Sequence, residues 1–426
     1  MTMRLKDAAT RWLGGWRCVL YIALVLVAEL IISGSACPQA VPPTPDDIER
    51  DNFVRHVMKS AGFPGVQTVV LKNNRIVWQK SYGQAVLAQP GPARPMRDDS
   101  ILYTASIGKM LTAVAVMQQV EKGRLSLDDD INAYVPFVVR NPKWPDVPIT
   151  WRMLLTHTSS INDAEDVQEA LYVYGAASPI TFGEYVEGTF KPGGIYNRAD
   201  SYLAGKPGTE RIYSSNGLDL AGYAIAQLVH QPFTTYVNQA ILSPLGIKES
   251  SYSLADLPAS KLAVGYGRTL SPDGSWIFAP NRVAFGHISA GRSVMDEQMG
   301  LPDPGSGNLY TSAVQFARLV MMLMNRGSLD GAKILEPASV DLLLTHSSFW
   351  SITSSYQQGI VFLGQRNLDD RLVWGHPGDD RGYCAAVFFD REAGIGALAF
   401  ANAETDDFLL SRRLTDLDMH MMDWFK

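Results

Sequence analysis

A serine and a lysine three positions apart are the first residues in this sequence that could do chemistry together. Ser106 and Lys109 precede an apolar run from Met110 to Val120 that predicts a helix. Three residues are close to one helical turn, so the hydroxyl and the amine would share a face and could hydrogen-bond. A buried lysine near the positive end of the helix dipole can be kept neutral and act as a base. Such a pair can activate a serine nucleophile without a histidine.

A second motif could supply a proton shuttle. Tyr213 lies in the run PGTERIYSSNG (residues 207–217), where a Pro-Gly turn precedes an apolar stretch. The turn predicts a loop that leads into a helix, so the phenol could point into a cleft and take or return protons. Simple packing in the turn is the alternative role for a single tyrosine at this position.

The third motif is VWGHPGDDRGY (residues 373–383), which lies between two strand-like segments. Gly378 on an edge strand would let a substrate acyl group approach, and a backbone N–H beside it could face a developing oxyanion. A β-turn formed by the Pro-Gly-Asp sequence is the structural alternative.

Composition excludes several classes of function. The 426 residues carry a net charge of −6 without long charged runs, which argues against a nucleic-acid partner. The three cysteines are Cys18, Cys37 and Cys384, of which only the last lies beyond the N-terminal leader. No Cys/His cluster has the spacing of a zinc site. We therefore expect neither a metal nor an organic cofactor.

The N-terminus predicts export. Residues 1–36 combine a basic segment, a short apolar segment and small residues, which is typical of a signal peptide or an N-terminal anchor. Cleavage, retention as a membrane anchor and lipidation at Cys37 remain alternatives. Residues 37–47 are rich in proline and predict a linker. The mature protein would be periplasmic or secreted, or attached to the membrane through this segment.

Strand-like segments cluster at both ends of the rest of the chain, and helical segments lie between them. This order predicts one domain over residues 48–425. Its sheet lobe would comprise about residues 48–105 and 330–425, and its helical lobe about residues 106–329. Lys72-Asn73-Asn74 predicts a hairpin turn, Thr150 a helix N-cap, and Thr311 or Ser312 a second one.

Taken in order, the motifs SIGK, YSS and HPG resemble those of a serine hydrolase family. It includes class C β-lactamases, D-alanyl-D-alanine carboxypeptidases and related esterases. Further similar segments are KGRLSLDD (122–129), ITWRMLLTHTS (149–159), SPLGI (243–247) and GNLYTSA (307–313). The resemblance extends from about residue 48 to the C-terminus. It implies an α+β, two-lobed β-lactamase/transpeptidase-like fold, with an antiparallel sheet flanked by terminal helices and a mostly helical insertion.

The resemblance also implies roles for individual residues. Ser106 would be the acylated nucleophile, Lys109 its proton partner and Tyr213 the general base and acid. The backbone N–H groups of Ser106 and Asp379 would form the oxyanion hole. Gly378 would be the position where the substrate approaches the strand.

Two departures from the family pattern bear on the substrate. Counted without a gap, Ser215 stands where the family usually has an asparagine, and Asn216 could serve only if the loop shifted. A serine hydroxyl reaches less far than an amide, which can donate to and accept from a substrate amide. His376 replaces the lysine of many members, and Asp379 and Asp380 add negative charge, so a substrate carboxylate would be bound poorly.

We therefore expect an exported serine hydrolase that forms an acyl-enzyme on a small-molecule ester, or on an amide. Esterase activity is favoured. A D-amino acid peptidase, carboxypeptidase or β-lactamase is the first alternative, and a non-catalytic binding protein on the same fold is the second. Acyl transfer to a hydroxyl other than water stays open, as does the oligomeric state.

Three other residues have structural interpretations. His157 is expected to form structural hydrogen bonds rather than to act in catalysis. His287 is not expected to belong to a nucleophile elbow, because its surroundings lack the Gly-x-Ser-x-Gly frame. Cys384 is expected to be a small buried residue on a strand.

Overall fold

The computed structural model describes residues 44–426 except 89, 285, 287–290, 348–356 and 405–407. The predicted leader, most of the predicted linker and His287 lie outside the described residues. The chain divides into two units, Met1–Phe53 and Val54–Lys426, and all three sequence motifs lie in the second.

Helices occupy most of the middle of the chain. The α-helices are α1 (Pro45–Ala61), α2 (Lys109–Glu121), α3 (Trp151–Leu155), α4 (Glu165–Leu171), α5 (Phe182–Phe190), α6 (Ser215–Val229), α7 (Phe233–Val237), α8 (Asn281–Ala284), α9 (Ala313–Met324), α10 (Pro337–Leu343) and α11 (Phe408–Asp423). Shorter helical turns lie at Ala105–Gly108, Ile131–Ala133, Asn238–Leu242, Leu254–Asp256 and Met295–Glu297.

The long strands lie towards both ends of the chain. The strands are β1 (Gly65–Lys72), β2 (Arg75–Val86), β3 (Arg94–Pro95), β4 (Leu102–Tyr103), β5 (Val173–Tyr174), β6 (Tyr266–Leu270), β7 (Trp276–Pro280), β8 (Met299–Gly300), β9 (Tyr310–Thr311), β10 (Ser328–Leu329), β11 (Ala332–Lys333), β12 (Gln357–Gln358), β13 (Leu363–Arg366), β14 (Leu372–Asp380), β15 (Tyr383–Asp390) and β16 (Ile395–Ala401).

One eight-stranded sheet joins the two ends of the chain. Its order is β12-β13-β14-β15-β16-β1-β2-β3, and each neighbouring pair is antiparallel. Strand β1 pairs with β16 from Val66 opposite Ala401 to Lys72 opposite Ile395. The predicted antiparallel sheet built from both ends of the chain is therefore confirmed.

Local sequence explains the turns and caps that were predicted. Asn73 and Asn74 have φ values of 49° and 59° in the β1–β2 hairpin, where asparagine tolerates the left-handed conformation. The Thr150 side chain accepts from Met153 N at the start of α3. Of the two candidate caps for α9, Ser312 is the one that accepts a helix N–H.

Helix α2 runs through the centre of the core. Its residues are buried from Lys109 to Gln119, which explains why this segment is apolar on all sides rather than on one face. Helix α9 packs against β1, β15 and β16, and α11 packs against β14, β15 and β16. None of the helices in the described ranges has both the length and the hydropathy needed to cross a membrane.

Candidate active site

The candidate nucleophile Ser106 lies on a tight turn rather than on the first turn of the α-helix. Ser106 belongs to the 3₁₀ turn Ala105–Gly108, and Lys109 is the first residue of α2. Ala105 has a φ of 48°, a conformation that a residue with a side chain rarely adopts. Ser106 is half-buried among buried neighbours, so its hydroxyl remains accessible.

The amine of Lys109 contacts the candidate nucleophile. Its Nζ lies 2.9 Å from Ser106 Oγ, 3.2 Å from Ser215 Oγ and 2.7 Å from the carbonyl oxygen of Ser306. The residue is only 1% exposed. The hydrogen-bonding positions of the nitrogen are thus directed towards two hydroxyls and one carbonyl, and the predicted Ser106–Lys109 contact is present.

Ser215 and Asn216 are the two candidates for the position at which the family usually has an asparagine, and the structure distinguishes between them. Ser215, not Asn216, reaches Lys109, which agrees with the count made without a gap. The Asn216 side chain instead accepts from the Tyr185 hydroxyl at 2.6 Å. Asp163 holds the start of α6 by accepting from the N–H groups of Ser215 and Asn216 at 2.7 and 2.9 Å.

Tyr213 lies beside Lys109 but presents its ring face to the amine. Lys109 Nζ is 5.0 Å from the centre of the tyrosine ring, a cation–π distance. The ring also stacks on His157, with ring centres 4.4 Å apart. His157 also holds the backbone on both sides of the tyrosine, because its carbonyl accepts from Ile212 N and its Nδ1 from Ser214 N. These contacts agree with the structural role expected for His157.

Strand β14 approaches the nucleophile turn closely at Gly378. A Cβ on Gly378 would lie 2.7 Å from the carbonyl oxygen of Thr104 and 3.3 Å from the Ile107 nitrogen. Asp379, the predicted second oxyanion donor, follows directly on the strand. The glycine therefore lets the strand pack against the turn that carries the nucleophile.

The prediction of an edge strand holds for half of β14. Within the described chain, β13 pairs with β14 only from Leu372 to Gly375, whereas β15 pairs with it as far as Asp380. From His376 onwards one side of the strand is thus left without a neighbouring strand among the described residues.

His376 is a buried neutral side chain. It is 2% exposed, and burial together with the nearby Lys109 lowers its pKa to about 3. Its Nδ1 contacts the carbonyl oxygen of Pro377, so that nitrogen carries the proton, and Nε2 has no hydrogen-bond partner among the described residues. The loss of a fixed positive charge at this position agrees with the expectation from the sequence.

Arg211 is a nearby cation that the sequence analysis did not identify. Its charge contributes to lowering the pKa of both His157 and His376. Its Nε donates to Gln358 Oε1 at 2.7 Å. Arg211 stands two positions before Tyr213 in the sequence. It was not predicted as a site residue because an arginine next to a turn belongs to no motif with a characteristic spacing.

A polar network of side chains connects β14 to the loop that contacts Lys109. The Tyr103 hydroxyl donates to Asn308 Oδ1 at 2.6 Å and also approaches Asp380 Oδ2 at 3.2 Å. Asn308 in turn donates to Asp303. Burial raises the pKa of Asp380, and it raises that of Asp303 to about 6.

The described ranges contain no group of three or more His, Cys, Asp or Glu side chains that could hold a metal ion. Cys384 is a buried free cysteine on β15, as expected. The site thus consists of hydroxyls, amines, imidazoles and carboxyls.

Comparison with known proteins gives a family and a set of similar structures. The Beta-lactamase family model matches residues 50–418. The chain is 28% identical over 238 residues to the D-alanyl-D-alanine-carboxypeptidase/endopeptidase AmpH of Escherichia coli strain K12, covering 56% of this chain and 57% of AmpH. It therefore spans little more than half the length of this curated relative.

Two solved structures share the fold over nearly their whole length. D-amino acid amidase from Ochrobactrum anthropi SV3 superposes with a TM-score of 0.65 at 18% identity, covering 89% of this chain and 100% of the amidase. EstCE1, described as a hydrolase with promiscuous acyltransferase activity, superposes with a TM-score of 0.63 at 19% identity, covering 88% and 99%. The predicted β-lactamase/transpeptidase-like fold is confirmed.

The family match and the fold agree over the same part of the chain. The matched residues 50–418 include all three motifs and all eight strands of the large sheet. The recognition of the family from SIGK, YSS and HPG is thus confirmed. The chain belongs to the beta-lactamase family of serine hydrolases.

Proposed function

We propose that this protein is an exported serine hydrolase that cleaves small-molecule esters through an acyl-enzyme on Ser106. The observation that carries the proposal is the 2.9 Å contact between Lys109 Nζ and Ser106 Oγ in a buried environment. Membership of the beta-lactamase family and the likeness to EstCE1 support it.

Acylation would begin with Lys109 as a neutral amine. Such an amine has two N–H groups, which can donate to the Ser306 carbonyl and to Ser215 Oγ, and a lone pair that can accept the Ser106 proton. Ser106 Oγ then attacks the substrate carbonyl carbon, and Lys109 receives the proton. In this proposal the backbone N–H groups of Ser106 and Asp379 stabilise the oxyanion.

Tyr213 would transfer the proton onward. The ammonium formed on Lys109 lies over the tyrosine ring. In this proposal the Tyr213 side chain rotates about its Cα–Cβ bond, which moves the phenol oxygen towards Nζ. The C–O bond of the ester then breaks, and the leaving alcohol takes a proton from the phenol. Water enters, loses a proton by the same route in reverse, and releases the acid from Ser106.

The substrate-facing groups favour an ester over an amide. Ser215 uses its hydroxyl on Lys109 and is shorter than the asparagine that many family members have at this position. An amide substrate would find one polar partner fewer, which costs binding when the group is buried. The neutral His376 offers no charge to a substrate carboxylate.

Arg211 favours a second candidate, hydrolysis of amides that carry a carboxylate. The positive charge of this guanidinium acts on His376, and it could pair with such a group. AmpH is by name a carboxypeptidase and endopeptidase, and the amidase acts, by its name, on D-amino acid amides. Activity of this kind, or on β-lactams, is the alternative.

Labelling with a fluorophosphonate probe tests the nucleophile. Wild-type protein should be labelled and Ser106→Ala should not, while Ser60→Ala, which changes an exposed serine, should label like wild type. A wild-type protein that stays unlabelled, or equal labelling of Ser106→Ala, would favour the non-catalytic alternative.

A substrate panel tests the ester preference. Short-chain nitrophenyl esters, D-amino acid anilides and a chromogenic cephalosporin are compared by kcat/KM. We expect the esters to be preferred. A cephalosporin cleaved as fast as the esters, or a preference for anilides that is lost in Arg211→Leu, would overturn the preference.

Export is proposed from residues 1–36 alone. Residues 1–47 fused to a reporter that is active only outside the cytoplasm should give reporter activity. Washing membranes with high salt and then with detergent would distinguish a released protein from one anchored through this segment. An inactive reporter would contradict export.

A further inference from the structure

A buried carboxyl that the proposed mechanism does not use lies behind Lys109. Asp219, on α6, is 0% exposed. Its Oδ1 accepts from the backbone N–H of Ser306 at 2.8 Å. Its Oδ2 is buried without a hydrogen-bond partner in the described part of the chain. A carboxyl in this position in an otherwise apolar helix is costly, which calls for a reason.

The backbone of Ser306 connects this carboxyl to the catalytic lysine. Its N–H donates to Asp219, and its carbonyl oxygen accepts from Lys109 Nζ at 2.7 Å. Both bonds are buried. Any rotation of the backbone at residue 306 would therefore break one of them or lengthen both.

The loop that contains Ser306 is packed too tightly to find another arrangement. A Cβ on Gly305 would lie 2.7 Å from the carbonyl oxygen of Leu218, and one on Gly307 would lie 2.8 Å from that of Ala105. The Thr112 hydroxyl donates to the carbonyl of Gly305 at 2.6 Å. The loop is thus held between α6, α2 and the nucleophile turn, and Asp219 supplies its bond on the α6 side.

We propose that Asp219 is a positioning residue for Lys109. By holding residue 306, its Oδ1 keeps the Ser306 carbonyl on one N–H of the amine, so that the lone pair stays directed at Ser106. The inference rests on the proposed serine hydrolase function and adds to it a residue that orients the base.

The acceptor oxygen, not a negative charge, performs this role. Burial and the neighbouring Asp303 raise the pKa of Asp219 well above its usual value. The ionisable groups that face it are Lys109 from α2, Asp303 from the loop and Tyr185 from α5. A protonated acid still presents a carbonyl oxygen to Ser306 N–H, and the amide of asparagine presents the same oxygen.

Three variants of the full chain test the proposal, with kcat and KM measured on a nitrophenyl ester. Asp219→Asn keeps the acceptor, and we expect its kcat to stay within about three-fold of wild type. Asp219→Leu removes the acceptor at similar volume, and we expect kcat to fall about 100-fold with KM little changed, because the base is misplaced. Tyr223→Phe removes a hydrogen bond of α6 to Glu187 and should leave kcat unchanged.

The outcomes separate this proposal from the function on which it rests. Wild-type kcat in Asp219→Leu would overturn the proposal. A folded Asp219→Asn variant whose kcat is as low as that predicted for Asp219→Leu would also overturn it, because catalysis would then require the negative charge and not the acceptor oxygen. Thermal melting establishes folding, and the isosteric Asn variant still decides the matter if Leu does not fold. If the wild-type protein neither hydrolyses the ester nor reacts with the fluorophosphonate probe, both the serine hydrolase function and the positioning role of Asp219 are contradicted.

Discussion

At the scale of single residues, the site depends on how one buried amine is surrounded. In the part of the chain that the structure describes, the hydrogen-bond partners of Lys109 are Ser106, Ser215 and the carbonyl of Ser306, and none is a carboxylate. These contacts agree with the proton transfer that we propose for Lys109.

Replacing Lys109 by methionine should remove activity while the fold survives. The methionine side chain fills a similar volume but cannot accept the Ser106 proton, so we expect kcat to fall at least about 1,000-fold. Lys122→Met, at the exposed end of the same helix, is the control and should behave as wild type. Circular dichroism would establish folding, and residual activity within ten-fold of wild type would contradict the assignment of Lys109.

His376 should make the folded state sensitive to acid. Its pKa of about 3 in the folded protein lies below the value of 6.5 for an exposed histidine. The unfolded chain therefore takes up a proton that the folded protein does not, and stability is full above pH 6.5 and decreases as the pH falls. The expected slope is about 1.4 kcal/mol per pH unit, or roughly 2 kcal/mol between pH 6.5 and 5.

The measurement compares urea unfolding of wild type and His376→Gln. The difference at pH 8 gives the packing cost of the substitution and is subtracted. We expect the variant to lose less stability than wild type between pH 6.5 and 5, although His157, whose pKa is also lowered by burial, keeps part of the slope. Equal slopes in the two proteins would show that His376 is not held neutral.

At the scale of elements, the site forms where a strand meets a turn. Strand β14 contributes Gly378 and Asp379, and the Ala105–Gly108 turn contributes the candidate nucleophile. The strand can approach the turn this closely because Gly378 has no side chain. Neither element forms the site alone.

Gly378→Ala should separate the strand from the turn. The new methyl group would lie 2.7 Å from the Thr104 oxygen, which is backbone and cannot rotate away. We expect a loss of about 1–3 kcal/mol in stability and about 100-fold in kcat. Gly91→Ala is the matched control, because a Cβ there has no atom within 4 Å. Full activity of Gly378→Ala would show that the close contact is not required.

At the scale of the whole molecule, the large sheet is held together by strand pairing between distant parts of the chain. Strand β1, near residue 70, lies between β2 and β16, which ends at Ala401. The sheet therefore cannot be complete until the last strand has formed. Domain boundaries at residues 48 and 425 are a proposal.

Removing the predicted leader and linker should leave the enzyme intact. A chain that begins at Thr44 keeps all strands, and we expect its kcat/KM and melting temperature to match those of the chain that begins at Met1. A chain that begins at Asn73 is the control. It lacks β1, so β2 and β16 lose their common neighbour, and we expect no folded protein. Failure of the chain that begins at Thr44 would contradict the proposed boundary.

The sequence alone was enough for the family, the fold class and the candidate nucleophile. Ser106 and Lys109 lie within one turn, and the order of the three motifs narrows the fold to one class. Local patterns also predicted the Asn73-Asn74 hairpin and the cap at Thr150, because these depend only on neighbouring residues.

Tertiary structure decided which side chains meet. Arg211, Ser306 and Asp219 come to the site from separate segments, and Ser306 contributes a backbone carbonyl that leaves no trace in residue type. The same is true of the ring-face contact of Tyr213 and of the choice of Ser215 over Asn216. Motif spacing constrains residues within one turn or one strand, whereas contacts across the cleft depend on how the loops pack, and that packing exists only in the folded chain.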